Sequence, residues 1–273
     1  VPEDGSSRPA SILAVVVFIP IKYADNITLP EPHSFKVVRN IYDKIESLPA
    51  GSPVILAVDY DPSADGELRP MTLALLRHLF RHNLRVIGMT IWGVQSPPLM
   101  ESLFAQIAKE YRKEEGIDYV TMPFKTGGGT ILLLISQDFH MAYPKDHRGL
   151  TTRDIPAMKG IKNLRDISLV IDIAAGATID SWITYGKEKA GMPLAAGCTA
   201  VMATDYYPFL QSKQLVGLLG GLNTAYQYES LIGKPELARD GMKAQTFIHL
   251  FLILLIVLGN VIYFVGKRKR GTA

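Results

Sequence analysis

Hydrophobic residues form several patterns along this chain, and the most uniform one lies near the C-terminus. Residues 247–265 (FIHLFLILLIVLGNVIYFV) carry no formal charge. At about 1.5 Å of rise per residue, a helix of this length spans roughly the 30 Å hydrocarbon core of a bilayer. Lys267 to Arg270 follow directly, and cytoplasmic flanks of membrane helices carry the Lys/Arg excess. The pattern predicts a transmembrane helix at 247–265 in the cell membrane and a basic cytoplasmic tail at 266–273.

A second apolar run, 12–21 (ILAVVVFIPI), has about half the length that a membrane-spanning helix needs. It could belong to a short or truncated membrane segment within 1–25, to a buried strand at 15–19, or to a cleaved signal peptide. We favour the membrane segment. Two such helices, with both ends cytoplasmic, would place the region between them outside the cytoplasm.

Residues 26–208 alternate between continuous apolar runs and helical spacing, which is typical of one α/β domain. The pattern predicts a doubly wound, mostly parallel, Rossmann-like sheet. Strands are predicted at 53–59, 84–91, 119–124, 168–173 and 199–203. Helices are predicted at 35–48, 67–82, 98–115, 130–140 and 178–190, although the β-branched start of 130–140 leaves a strand open there.

The residues before the membrane helix are predicted to be helical again. An apolar helix at 209–232 is interrupted by Gly217, Gly220 and Gly221, and 236–245 joins it to the membrane span. We expect 209–246 to form a juxtamembrane collar. Its glycine run is similar to the small-residue motifs that allow close packing of helices.

Charge and cysteine content exclude several classes of partner and site. The formal net charge is +3, and the basic tail accounts for it, so nucleic acid is not an expected partner. The single cysteine, Cys198, excludes an internal disulfide framework and a multi-cysteine metal site. It lies among small residues and is expected to be a buried structural thiol. No pattern identifies a cofactor.

Acidic residues follow the first predicted strand, at the end where open α/β sheets bind ligands. The apolar run ending in Asp59-Tyr60-Asp61 resembles the first motif of the haloacid-dehalogenase phosphatases. That resemblance implies Asp59 as nucleophile, Asp61 as general acid and Thr90 as the phosphate-binding hydroxyl. The chain departs from the family because it continues straight into a helix, and no lysine or second acidic pair is placed by pattern.

The same loop also imitates part of a calcium-binding loop. Asp61, Ser63 and Asp65 match its first, third and fifth positions, but Thr72 stands where a bidentate glutamate is required. An EF-hand is therefore excluded, and a looser cation site stays open. The alternative is structural: Asp65 or Glu67 caps the following helix, and the other acidic side chains are solvated.

One further loop and one further strand contain candidate ligand-binding residues. Lys125 precedes Gly127, Gly128 and Gly129, whose backbone N–H groups could converge on an anion at a helix N-terminus, although a flexible turn explains them equally. Asp172, in the strand 168–173, is a further candidate at the same edge of the sheet.

A loop further along contains His140, Asp146 and His147. These residues could bind a metal ion, but on a loop they are expected to be solvated polar residues. No nucleophilic serine in a Gly-x-Ser-x-Gly turn accompanies them, so a hydrolase triad is incomplete. We therefore assign no metal site.

Polar residues inside the membrane helix point to packing between helices. His249 and Asn260 are eleven residues apart, which places them on nearly one face at about 100° per residue. Gly259 adds a small surface beside them. Because polar groups in a membrane span usually face protein, we expect this stripe to pack against another helix.

Three segments together resemble a family of prokaryotic membrane proteins without an assigned activity. They are ILAVDYDPSADGELRPM (55–71), GLLGGLNTAYQYE (217–229) and GMKAQTFIHLFLILLIVLGN (241–260). The resemblance implies an α/β domain between two transmembrane helices and implies no mechanism.

Two functional hypotheses from different classes follow. In the first, the domain is a binding or assembly module that is held at the bilayer and acts through other membrane proteins or through copies of itself. In the second, it is a membrane-tethered hydrolase or phosphotransfer enzyme that uses Asp59 and Asp61. We favour the module because no complete catalytic set can be assembled from the sequence.

Overall fold

A computed structural model describes residues 36–270 of the chain. The predictions made for 1–25 lie outside the described residues. The chain divides into two compact units: Pro32–Ala238 contains the sheet, and the residues from Arg239 onward belong to the other. Each unit is described by itself.

The first unit is built on a six-stranded sheet in which every neighbouring pair is parallel. The order β3-β2-β1-β4-β5-β6 confirms the predicted doubly wound α/β fold. The direction of winding reverses between β1 and β4, where such sheets bind ligands beyond the carboxyl ends of the strands. The strands are β1 (Pro53–Asp59), β2 (Arg85–Met89), β3 (Tyr119–Thr121), β4 (Leu169–Ala174), β5 (Leu194–Cys198) and β6 (Leu218–Gly220).

Helices cover both faces of the sheet, which explains why the central strands are continuously apolar. The helices before the C-terminal one are α1 (Lys36–Glu46), α2 (Asp65–Arg81), α3 (Ser96–Tyr111), α4 (Gly129–Gln137), α5 (Phe139–Ala142), α6 (Thr178–Ser181), α7 (Glu188–Ala190), α8 (Ala203–Gln211) and α9 (Gly221–Leu231). Short 3₁₀ turns lie at Pro156–Met158 and Leu164–Asp166.

The two helical layers use alternate residues of each strand. Gly88 of β2 lies against Phe104 of α3, and Gly197 of β5 lies against Met71 of α2. The opposite face of the sheet packs on the core cluster that includes Ile135 and Trp182. This alternation places Asp59 and Asp172 on the second face, because β1 and β4 pair with Ala57 opposite Asp172.

Two elements after residue 190 differ from the prediction. The strand predicted at 199–203 is wrong: β5 comes earlier, at Leu194–Cys198, and Ala203 already begins α8. The single helix predicted at 209–232 is also wrong, because Leu218–Gly220 form edge strand β6 and α9 starts after it. The glycines do allow close packing, but with elements of the sheet domain: Gly217 approaches the Val37 carbonyl of α1.

The helix predicted at 178–190 is helical but irregular. Its middle turn, Trp182–Lys187, is a π-helix between α6 and α7. Such π turns re-aim side chains and are frequent near functional sites. The helix interpretation of 130–140 is confirmed by α4 and α5.

The C-terminal element is one long helix, α10 (Leu237–Arg270). Within the described residues, it is the helix that is long and apolar enough to cross a membrane: its 18-residue apolar window has a mean hydropathy of 2.1 and contains no buried residue. His249 and Asn260 are exposed on this helix, and a Cβ added at Gly259 would meet no atom within 4 Å. Their role in helix packing stays a prediction.

Candidate functional site

Three of the predicted residues meet at the carboxyl edge of the sheet, on either side of the point where winding reverses. Asp59 ends β1, Thr90 follows β2, and Asp172 lies near the end of β4. All three side chains are fully buried. Asp59, Thr90 and Asp172 therefore form a cluster that solvent does not reach.

Asp59 fixes the loop that follows β2. Its Oδ1 accepts hydrogen bonds from the Thr90 hydroxyl (2.8 Å) and from the backbone N–H groups of Ile91 (2.7 Å) and Trp92 (3.1 Å). A carboxylate with three such donors satisfies backbone groups that no strand or helix satisfies. We call residues 90–95 the Trp92 loop, and Asp59 is its anchor.

Asp172 is the second carboxyl of the cluster, and we call Asp59 and Asp172 the acid pair. Its Oδ2 accepts a hydrogen bond from the Thr178 hydroxyl at the start of α6 (3.0 Å). Burial raises the pKa of both carboxyls, and the charge of Asp59 and a hydrogen bond to it raise the pKa of Asp172 further. The same hydrogen bond and the N–H of Ile91 act to lower the pKa of Asp59. Burial and the neighbouring charge therefore favour the neutral form of Asp172.

Two buried aromatic side chains face the acid pair. The Trp182 indole N–H lies close enough to Asp59 to stabilise its charge, and the Tyr143 ring lies where that charge is felt. Neither Trp182 Nε1 nor the Tyr143 hydroxyl has a hydrogen-bond partner among the described residues. The remaining oxygens of the acid pair, Asp59 Oδ2 and Asp172 Oδ1, also lack a hydrogen-bond partner among the described residues, and a proton shared between them would satisfy both.

Trp92 closes the cluster from outside. A Cβ added at Gly176, in the loop after β4, would lie 2.1 Å from Cζ3 of the Trp92 ring, so the indole lies directly on this glycine. The indole is 39% exposed, whereas the acid pair beneath the loop is fully buried. The crevice between β1 and β4 is therefore covered by the Trp92 loop.

The other acidic candidates support local structure. Asp61 accepts hydrogen bonds from the backbone N–H (2.8 Å) and hydroxyl (2.6 Å) of Ser63, which lower its pKa. Asp65 pairs with Arg69 at 2.7 Å rather than capping α2. Glu67 accepts the N–H of Ala200 at 2.8 Å and so connects α2 to the loop after β5. These groups do not converge, and no metal-binding group of three or more His, Cys, Asp or Glu occurs in residues 36–270.

The glycine-rich turn is the start of a helix. Gly127 and Gly128 have φ values of +131° and +49°, which favour glycine. Gly129 is covered by the Tyr185 ring, 2.5 Å from the Cβ position. Lys125 donates to the Ala142 carbonyl and lies 5.3 Å from the centroid of the Tyr143 ring. The lysine thus contacts a neighbour of the acid pair and does not reach the carboxyls.

The His140, Asp146 and His147 cluster is structural. His140 bonds to Thr152 and to the carbonyl of Ile161. Asp146 is 3% exposed and accepts the N–H groups of Arg148 and Leu150, so the expectation that it is solvated was wrong. His147 pairs with Glu115 and Glu101.

The carboxyl edge also carries apolar side chains on its outer surface. Val94 in the Trp92 loop is 71% exposed, and Val201 in the loop after β5 is 84% exposed. Trp92 and Tyr185 are partly exposed at the same edge. Exposed apolar and aromatic groups at one edge are a feature of interaction surfaces, so we name these four residues the binding face for the role that is proposed for them.

Sequence reasoning missed Trp92, Gly176, Tyr143 and Trp182. The first two lie directly after β2 and β4, so the rule that strand ends converge could have identified them. Tyr143 directly follows α5 and Trp182 begins the π-helix, and only the folded chain brings them to the acid pair.

Comparisons with known proteins add little to this description. No protein-family model matches the sequence, and no curated protein matches it. Among solved structures, the N-terminal domain of trehalose-6-phosphate phosphatase from Candida albicans is similar, with 10% sequence identity and a TM-score of 0.35. The match covers 81% of this chain, which spans less than half (44%) of that structure. At this level of similarity the match assigns no activity.

Proposed function

We propose that the chain is a membrane-anchored α/β module that binds or assembles protein partners at the membrane surface. The observation that carries the proposal is the state of the carboxyl edge. The carboxyls at its centre, Asp59 and Asp172, are fully buried and hold loops, while Val94 and Val201 are exposed on its outside. An edge of this kind is suited to an apolar contact with a protein surface.

The partner we expect is a membrane protein, or a second copy of this chain, that offers an apolar patch. A binding domain tied to a bilayer meets membrane partners at a raised effective concentration, so a small contact is sufficient. Exposed valines add apolar area, and Trp92 and Tyr185 are of the residue types enriched in interfaces.

Photo-cross-linking in native membranes tests the proposal. A photoreactive amino acid replaces Val94 or Val201, and in a control it replaces Ile117, an exposed aliphatic residue (51%) at the opposite edge of the sheet. We expect a discrete adduct from positions 94 and 201 and none from 117. Equal adducts from all three, or none from any, would contradict the binding face.

Orientation follows from the flanking charges. We infer that the C-terminus is cytoplasmic and the α/β domain extracytoplasmic, because the basic residues Lys267 to Arg270 directly follow the apolar span. A reporter fused after Ala273 is expected to be active in the cytoplasm. Cleavage of that reporter by protease added outside intact cells would reverse the assignment.

A second candidate is a membrane-tethered hydrolase or phosphotransfer enzyme. One observation favours it: Asp59, Thr90 and Asp172 do lie together at the carboxyl edge. Hydrolysis of p-nitrophenyl phosphate by the full chain, lost when Asp59→Asn and Asp61→Asn are combined in a folded protein, would support it. No turnover by the unchanged chain would contradict it.

A further inference from the structure

The proposed binding function does not explain the acid pair, which is an unusual feature of the domain. The pair places two carboxyls on neighbouring strands in a region without solvent access, and Trp182 Nε1 and the Tyr143 hydroxyl face it without hydrogen-bond partners among the described residues. Native proteins rarely bury such groups without a use for them.

We propose that the acid pair is a pH-dependent device in which loss of the shared proton releases the Trp92 loop and remodels the binding face. The inference rests on the proposed function in one respect: Trp92 and Val94 belong both to this loop and to the binding face. The device would make partner binding depend on the pH at the membrane surface.

The connection from proton to loop is direct. Asp59 holds the loop through Thr90, Ile91 and Trp92, and burial favours the neutral form of the neighbouring Asp172. When Asp172 also ionises, two negative charges face each other in a dry site, where repulsion is poorly screened. Opening of the loop admits water and relieves that repulsion.

The groups around the acid pair do not account for a change of charge in this region. Burial raises the pKa of Tyr143 and of Tyr206, and it raises the pKa of Cys198 to about 12, so these groups stay neutral near pH 7. Lys125 is directed at the Ala142 carbonyl, and Asp180 accepts a hydrogen bond from Tyr206.

Asp61 lies on the loop after β1, and its hydrogen bonds to Ser63 lower its pKa, so it stays ionised. Among the described groups around the loop, Asp172 is therefore the carboxyl whose pKa is raised well above its ordinary value, so it is the one expected to change charge as the pH rises.

The direction of the effect follows from proton linkage. In the closed state the pKa of Asp172 is raised, whereas in an opened, hydrated site it returns toward about 4. Below this pKa of the opened site, Asp172 is protonated in both states, so the closed state has its full stability. As the pH rises toward the raised pKa, opening releases a proton, so the opening equilibrium increases by up to about tenfold per pH unit and then levels off.

Hydrogen exchange of the full chain in detergent micelles tests this inference between pH 5 and pH 8. Peptides covering 88–95 report the N–H groups of Ile91 and Trp92, after correction for the intrinsic pH dependence of exchange. The unchanged chain should open more as the pH rises. Asp172→Asn, which resembles the protonated acid and can donate to Asp59, should stay closed at every pH.

Two further variants sharpen the result. Asp180→Asn removes a nearby exposed carboxyl outside the pair and should open with pH like the unchanged chain. Gly176→Ala pushes the Trp92 ring outward and should give fast exchange at every pH, including acidic pH. If the unchanged chain shows no corrected rise, if Asp172→Asn rises in parallel with it, or if Gly176→Ala changes nothing, the inference is wrong.

The measurement needs no partner. If the loop opens as the pH rises but position 94 gives no adducts, the pH-dependent device is supported and the binding proposal is contradicted. If position 94 gives adducts but the loop does not open with pH, the binding proposal is supported and the device is contradicted.

Discussion

Some buried polar residues in this domain have a specific partner for each polar atom, and His78 of α2 is an example. The side chain is fully buried and stacks on Tyr42 with ring centroids 4.6 Å apart. Its Nε2–H donates to Glu46 (2.9 Å), and its Nδ1 accepts from the Tyr228 hydroxyl (2.7 Å). One neutral imidazole therefore joins α1, α2 and α9.

Acid should weaken the fold through this histidine. Burial lowers the pKa of His78 to about 4, whereas the unfolded chain has a histidine pKa of about 6.5. Between these values the unfolded state takes up a proton that the folded state does not, so stability is lost as the pH falls. From pH 6.5 to pH 5 the loss should be about 2 kcal/mol.

Urea unfolding in micelles at both pH values measures this loss. His78→Gln keeps a polar side chain that does not titrate, so it should lose less stability on acidification, although it starts lower. An equal acid-induced loss in both proteins would show that other groups are responsible.

The site was predictable at the residue scale only in part. Asp59 and Thr90 could be placed together because parallel strands end at one edge of a sheet. Their burial could not be predicted, because it depends on Trp92 lying over Gly176 and on Trp182 and Tyr143, which come from distant parts of the chain. A nucleophile and a loop anchor have the same local sequence, and only solvent access distinguishes them.

At the scale of elements, prediction succeeded where strands are rich in branched residues. β1 (PVILAVD) and β4 (LVIDIA) were recognised, but β5 (LAAGC) was not, because alanine and glycine have low strand propensity. The structure uses small residues there for close contact: a Cβ at Gly197 would lie 2.5 Å from Ile173 Cδ1. The strand was predicted at 199–203 because Val201 is branched, but this residue lies in a loop.

Gly217, directly before β6, shows the same need for a small residue. An added Cβ would lie 2.3 Å from the Val37 carbonyl and 2.6 Å from Ile41 Cγ1, so α1 would have to move away. Gly217→Ala should therefore destabilise the domain by about 1–3 kcal/mol, the usual cost of overpacking.

The midpoint of urea unfolding checks this value, and Gly66→Ala in α2 is the matched control. A Cβ at Gly66 would meet no atom within 4 Å, so the change should stabilise the helix by up to about 1 kcal/mol. A Gly217→Ala protein as stable as the unchanged chain would show that α1 adapts without cost.

At the scale of the whole molecule, a sheet domain with its own core is followed by a helix whose surface is apolar. In α10, the 18-residue apolar window has a mean hydropathy of 2.1 and contains no buried residue. A helix of this length and hydropathy is suited to cross a bilayer. Such a helix was predictable because its length and hydropathy follow from local sequence alone, whereas no local pattern encodes what it would pack against.

The polar stripe of α10 leads to a prediction about assembly. Lipid tails are as apolar as leucine, so helices associate in a bilayer through close packing and interhelical hydrogen bonds. His249 and Asn260 share nearly one face beside Gly259, and both are exposed in the described chain. A hydrogen bond of this sort contributes roughly 0.6 kcal/mol on average and up to about 2, so losing one should weaken an assembly rather than abolish it.

Lysine-directed cross-linking in native membranes should therefore give a ladder of homo-oligomers that becomes weaker in Asn260→Leu. Leu258→Ala is the control, because this residue lies about 160° around the helix from Asn260 and leaves the polar stripe intact. Its ladder should match that of the unchanged chain. A monomer in all three proteins would rule out self-association through the stripe, and the polar groups would then have to contact a different helix.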